Sequence, residues 1–140
     1  MNTVFKKVCA MFVSVVVLAS CSSEKKHPDY ERMEGKWKEV KSTQDGVAEP
    51  KHDTWYDFKE DLSFESYTGK GYTYKLDTAK HIMKAFGKSV PESGVNTKEF
   101  EVSMFEKDYR FSGDTLVLGM VSKMSGKRVE GYYVKLSEQD

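Results

Sequence analysis

Beyond residue 21 the chain contains no cysteine: Cys9 and Cys21 are its only two, and both lie near the start. A domain built from the rest has no disulfide, so packing alone must hold it together. Proline is nearly as scarce, at Pro28, Pro50 and Pro91, and none interrupts an alternating segment, as central strands require. Neither sign of charge prevails, since 22 Lys and Arg stand against 22 Asp and Glu, finely interspersed. No basic stripe points to nucleic acid, and no acidic block points to a disordered tail. A long hydrophobic run is missing too. The apolar stretch from Val8 to Ser20 falls short of the roughly 20 residues that cross a bilayer as a helix.

That stretch reads instead as a secretory signal, with Lys6 and Lys7 ahead of it and small residues behind. Its end, Leu18-Ala19-Ser20-Cys21, resembles the lipobox of bacterial lipoproteins. The resemblance implies cleavage before Cys21 and acylation of its thiolate with two or three chains such as palmitate. One chain holds a protein only marginally, whereas two or more hold it stably. Cys9 reads as an ordinary residue of the apolar stretch. Residues 1–20 are then the signal peptide, 21–32 the lipidated cysteine and a polar tether, and 33–137 a single domain. Ser22 and Ser23 lack the Asp that commonly retains lipoproteins at the inner membrane, so the resemblance implies the outer membrane. Whether the domain faces periplasm or exterior stays open.

Aromatics form 13% of the chain, mostly Tyr and Phe, a composition that favours strands. Asp29 to Met33 is read as a short helical turn behind Pro28. From Lys36 onward the pattern has period two. Tyr56 and Phe58, Leu62 and Phe64, Tyr72, Tyr74 and Leu76, then Phe100, Val102 and Met104 each alternate with other residues, as do Leu116 and Leu118, and Tyr132, Val134 and Leu136. Turn chemistry falls between them at Asp45-Gly46, Gly69-Lys70-Gly71, Ser112-Gly113-Asp114 and Ser125-Gly126. Residues 80–88 read equally as a strand or as one to two helical turns ended by Gly87, and residues 87–97 as one long loop. About eight short strands without helical crossovers make an antiparallel meander. An up-and-down β-barrel removes its edges most economically, with an open sandwich as the competitor.

Gly35-Lys36-Trp37 at the start of the first strand resembles the G-x-W motif of lipocalins and of small bacterial lipocalin-like lipoproteins. The likeness continues through Trp55-Tyr56-Asp57-Phe58, Ser63 to Tyr67, Tyr74 to Asp77, Tyr109 to Leu116 and Tyr132 to Leu136. It implies an all-β, lipocalin-like barrel of about eight strands in which Gly35, Trp37 and Lys135 close one end. Lys135 stands where the family typically places an Arg, and it lacks the planar stacking of a guanidinium. The family also implies a small hydrophobic or amphipathic ligand, held by an inward row of Tyr56, Phe58, Phe64, Tyr72, Tyr74, Phe100, Met104 and Leu118. Those residues equally make an ordinary packed core.

Catalysis finds no constellation: there is no G-x-S-x-G elbow and no H-E-x-x-H. His81-x-Met83 on one strand face is a conceivable soft-metal or haem pair, but Met commonly fills cores and lone histidines commonly sit on surfaces. No metal or other cofactor is therefore expected, and no enzyme. A second reading is an interaction module that docks an envelope protein through its loops or through an outward aromatic, Trp55 or Tyr67.

Overall fold

The computed structural model describes residues 26–89 and 100–138. The signal peptide, Cys21, Glu99 and residues 90–97 of the long loop lie outside the described residues. One helix, α1 (Pro28–Met33), precedes nine strands: β1 (Gly35–Gln44), β2 (Val47–Glu49), β3 (Trp55–Phe58), β4 (Ser63–Ser66), β5 (Gly69–Asp77), β6 (Ile82–Ser89), β7 (Phe100–Ser112), β8 (Thr115–Val121) and β9 (Arg128–Lys135). All pairings are antiparallel and run β1-β3-β4-β5-β6-β7-β8-β9, with β9 returning to β1, from Trp37 opposite Lys135 to Gln44 opposite Val129. This is a closed eight-stranded antiparallel up-and-down barrel with one short helix. β2 is a ninth strand, folded back on the far end of β1 through Asp45-Gly46.

Closure follows from the period-two pattern. Trp37, Tyr56, Phe58, Phe64, Tyr74, Leu76, Met83, Ala85, Tyr109, Leu116, Leu118 and Tyr133 all point inward and pack as one core with Met33. Their rings interlock: Phe58 meets Tyr74 edge-on at 4.9 Å and Phe64 at 5.5 Å, separations at which aromatic pairs attract beyond their buried area. The barrel is thus filled along its helix half.

The helix plugs that half. Trp37 donates its indole N–H to the Met33 carbonyl at 2.7 Å, and Lys135 donates to the Arg32 carbonyl at 3.1 Å. Tyr109 donates its hydroxyl hydrogen to the Asp29 carboxylate at 2.7 Å. Tyr30 does something less ordinary. β4 pairs with β5 only as far as Thr73, and beyond that point the Leu76 N–H donates to the Tyr30 hydroxyl at 2.9 Å, which also donates toward the Leu76 carbonyl at 3.3 Å. A side chain stands in for the missing strand, as backbone groups left inside a fold require.

The helical turn expected at Asp29 to Met33 is present as α1, and it packs against the barrel as its plug. Several sequence expectations change here. Residues 82–89 are strand, so Gly87 caps no helix; it lies opposite Val102 within a hairpin. The turn expected at Gly69-Lys70-Gly71 sits at Tyr67-Thr68 instead, because Ser66 pairs with Gly69 and the Ser66 hydroxyl accepts the Thr68 N–H. The β6–β7 hairpin runs past the barrel body, leaving Phe100, Val102 and Met104 at 50%, 38% and 43% exposure. Phe100 and Met104 therefore do not line the filled interior; their strand end has solvent on both faces.

Candidate functional site

At the end opposite the helix the interior changes character. A cup of about 300 Å³ opens there, lined by Glu39, Ser42, His52, Thr54, Tyr56, Tyr67, Lys107, Leu118, Met120, Val129, Gly131 and Tyr133. Its floor is the aromatic core. Two irregularities create its polar wall. In β1 the register slips between Glu39 and Lys41, a bulge of the kind that re-aims side chains, so Val40 turns outward while both Glu39 and Ser42 are buried. In β9, Gly131 leaves the space that Tyr133 and Glu39 occupy: a β-carbon there would lie 2.8 Å from the Tyr133 hydroxyl and 3.0 Å from Glu39 Oε1.

The acid and the base of the cup differ in their partners. Glu39, 5% exposed, accepts the His52 N–H at 2.8 Å, and the His52 imidazole lies 3.9 Å from the same carboxylate. Lys107 donates to the Tyr56 hydroxyl at 3.1 Å and lies 4.9 Å and 5.5 Å from the Phe105 and Tyr56 ring centroids. Among the described residues no carboxylate comes within ion-pairing distance of it. Burial lowers the Lys107 ammonium below its ordinary value, against the more distant pull of Tyr67 and Glu39. Burial likewise pushes the Tyr56 hydroxyl up to about 12, and the Tyr133 hydroxyl up as well, with Tyr56 beside it adding to the effect. Both phenols are neutral at physiological pH; Tyr133 donates to the Tyr56 hydroxyl, which also accepts from Lys107 and keeps its own hydrogen to donate.

Of the residues proposed from sequence as ligand-binding, Tyr56 and Leu118 line the cup. Phe58, Phe64 and Tyr74 form its sealed floor at about 1% exposure each. Tyr72 is half-buried beside Phe64, with ring centroids 5.2 Å apart. Phe100 and Met104 stand on the projecting hairpin outside. Gly35, Trp37 and Lys135 come together at the helix end: Lys135 Nζ lies 4.9 Å over the Trp37 ring, and its aliphatic carbons fill the place a Gly35 side chain would take, 3.3 Å away. Trp55 points outward, as its phase demands, half-buried with Lys36 Nζ 5.2 Å over its ring. Tyr67 is 54% exposed at the cup rim. His81 stands exposed in the turn before β6, with a left-handed backbone (φ 54°), whereas Met83 is fully buried, so the two share no strand face.

Glu39, His52 and Lys107 were missed by sequence, although two of them carried a signal. Glu39 falls in the inward phase of Trp37, and Lys107 in that of Phe105, Tyr109 and Phe111. A charge in the apolar phase of a strand is a polar group aimed at the interior. His52 comes from an irregular segment and has no period to betray it.

A wider groove of about 460 Å³ crosses the helix end beside Arg32, Trp37, Phe111 and Lys135. Its cations are already engaged, Arg32 over Phe111 at 4.1 Å and Lys135 with the Arg32 carbonyl. Searches against protein-family models, curated proteins and solved structures return no match to the chain.

Proposed function

We propose that this protein is a lipid-anchored, lipocalin-like envelope lipoprotein that binds a small amphipathic ligand in the cup and is not an enzyme. The observation carrying the reading is an opening lined by convergent polar side chains at one end of a barrel whose other end is plugged. A concave site with an apolar floor and a few placed polar groups suits a small molecule. The lipobox-like Leu18-Ala19-Ser20-Cys21 supports anchoring at the outer membrane. A native mass spectrum of the chain purified from its own envelope without delipidation tests the ligand: a reproducible added mass beyond the acyl chains is expected, and its absence removes the reading. Membrane fractionation of Cys21→Ala tests the anchor, with release from the membrane as the expected result.

A second reading has its own support. Val47, Tyr67, Met120, Val121 and Met124 are exposed around the cup end, a rim suited to an envelope protein partner. Pull-down from detergent-solubilised envelope with Met124→Ser as control separates the two.

A further inference from the structure

The cup does not continue into the barrel below it. Its volume of about 300 Å³ equals roughly ten water molecules, and beneath it Phe58, Phe64, Tyr74 and Met83 leave no exposed surface beyond about 1%. The chemistry inside the cup suits a charged group instead. Lys107 is a half-buried cation with a phenol hydroxyl as its single hydrogen-bond partner among the described residues and two ring faces beside it. An ammonium withdrawn from water without a counter-charge is costly, and an incoming anion would supply one. Glu39 answers that need only from a distance: its carboxylate, which accepts the His52 N–H, pulls on Lys107 without forming an ion pair with it among the described residues. Apolar surface, by contrast, lies outside: Tyr67 and Met120 line the cup and are exposed at 54% and 38%, and Met104 follows beside Tyr72 and Gly87.

Resting on the ligand-binding reading above, we infer that the ligand is an anionic amphiphile bound head first, its carboxylate or phosphate ester against Lys107 and its apolar chain over Tyr67, Met120 and Met104. The barrel interior takes the charge and the rim takes the tail. Tyr56 and Tyr67 supply hydroxyls that donate to the anion. The depressed ammonium of Lys107 accords with a site left incomplete without its ligand.

The test titrates the full chain, labelled with 13C at its methionine methyls, with octanoate, octyl phosphate, octanol and octylammonium. The Met120 and Met104 methyls are expected to shift while those of Met33 and Met83, both fully buried, stay still. At least one anion should bind about tenfold or more tightly than octanol, the scale of one hydrogen bond to a charged group. Whichever anion does so identifies the head group. Lys107→Met should bring anion and alcohol within about twofold while the melting temperature holds or rises, since an apolar side chain of similar length replaces an unpaired charge; Lys107→Arg should retain the preference. Equal binding of octanol and both anions to the wild type, or a preference surviving Lys107→Met, overturns the anionic head group and leaves the cup reading standing. Strongest binding by octylammonium overturns it in favour of Glu39. If no probe moves Met120, the cup reading itself falls.

Discussion

Two buried side chains illustrate what a single residue contributes to this barrel. The Tyr74 hydroxyl is buried with no hydrogen-bond partner among the described residues, so desolvation, the largest cause, pushes its ionisation upward. An unpaired buried hydroxyl costs about 1–3 kcal/mol, which the ring's contacts with Phe58 and Tyr30 must outweigh. Tyr74→Phe should therefore stabilise the protein by about 1 kcal/mol, read as a rise in urea midpoint without a change in slope. On the outer wall, Arg128 grips Asp108 with contacts of 2.6 Å and 3.0 Å. The hydrogen bond to Arg128 holds the Asp108 carboxyl below its usual range. A carboxyl with a depressed folded value contributes stability above its unfolded value of about 3.9 and loses it as pH falls through the folded value. Asp108→Asn should thus lower stability at neutral pH, and the difference should close below about pH 4. Both partners are 41% exposed, so the effect stays under about 1 kcal/mol; thermal melts from pH 3 to 7 read it directly.

At the scale of elements, α1 is held by hydrogen bonds rather than by its own length, since six residues are too few for a helix to persist alone. Tyr30→Phe deprives the Leu76 N–H and C=O of their partner and should cost about 1–2 kcal/mol, with faster hydrogen exchange at Leu76 and along α1 than in β8. Sequence made this plug only half legible. Pro28 announced a helical turn, but nothing in the local pattern said that Tyr30 would complete a sheet edge, because that depends on where β4 stops. The strands themselves were readable where one face is buried, as in Trp55–Phe58, but in Arg128–Lys135 the phase was not, because the buried residues are Gly131 and Tyr133 rather than Tyr132 and Val134. Reading failed at Phe100 to Met104, where the alternation is clean but the hairpin overshoots the barrel and leaves both faces wet. Periodicity reports which residues share a face, not whether anything covers it. The candidate site was obscured for a related reason: the β1 bulge breaks the phase between Glu39 and Ser42, and the cup is assembled from six separate stretches of chain.

For the whole molecule, the two ends are built differently, one plugged by α1 and the other open. The N-terminal segment enters at the helix end, while the cup, the β1–β2 hairpin and the β8–β9 turn with fully exposed Met124 lie at the other. If Cys21 carries the proposed acyl anchor, only a few residues ahead of α1 in sequence, the helix end would face the bilayer and the cup would face away from it. Fluorophores on Glu60→Cys, at the exposed β3–β4 turn of the helix end, and on Met124→Cys should differ accordingly. In the anchored protein a lipid-borne quencher should dim the first several-fold more than the second; equal quenching refutes this orientation.

The seam between β1 and β9 also governs when the fold can exist. Trp37 waits for Lys135 and Gln44 for Val129, so the earliest strand finds its second neighbour only when the last one arrives. Such non-local pairing is slow to form, and until then β1 and β8 are open edges. A nascent chain lacking its final segment cannot close prematurely, so it stays an open-edged meander until its last strand has been made.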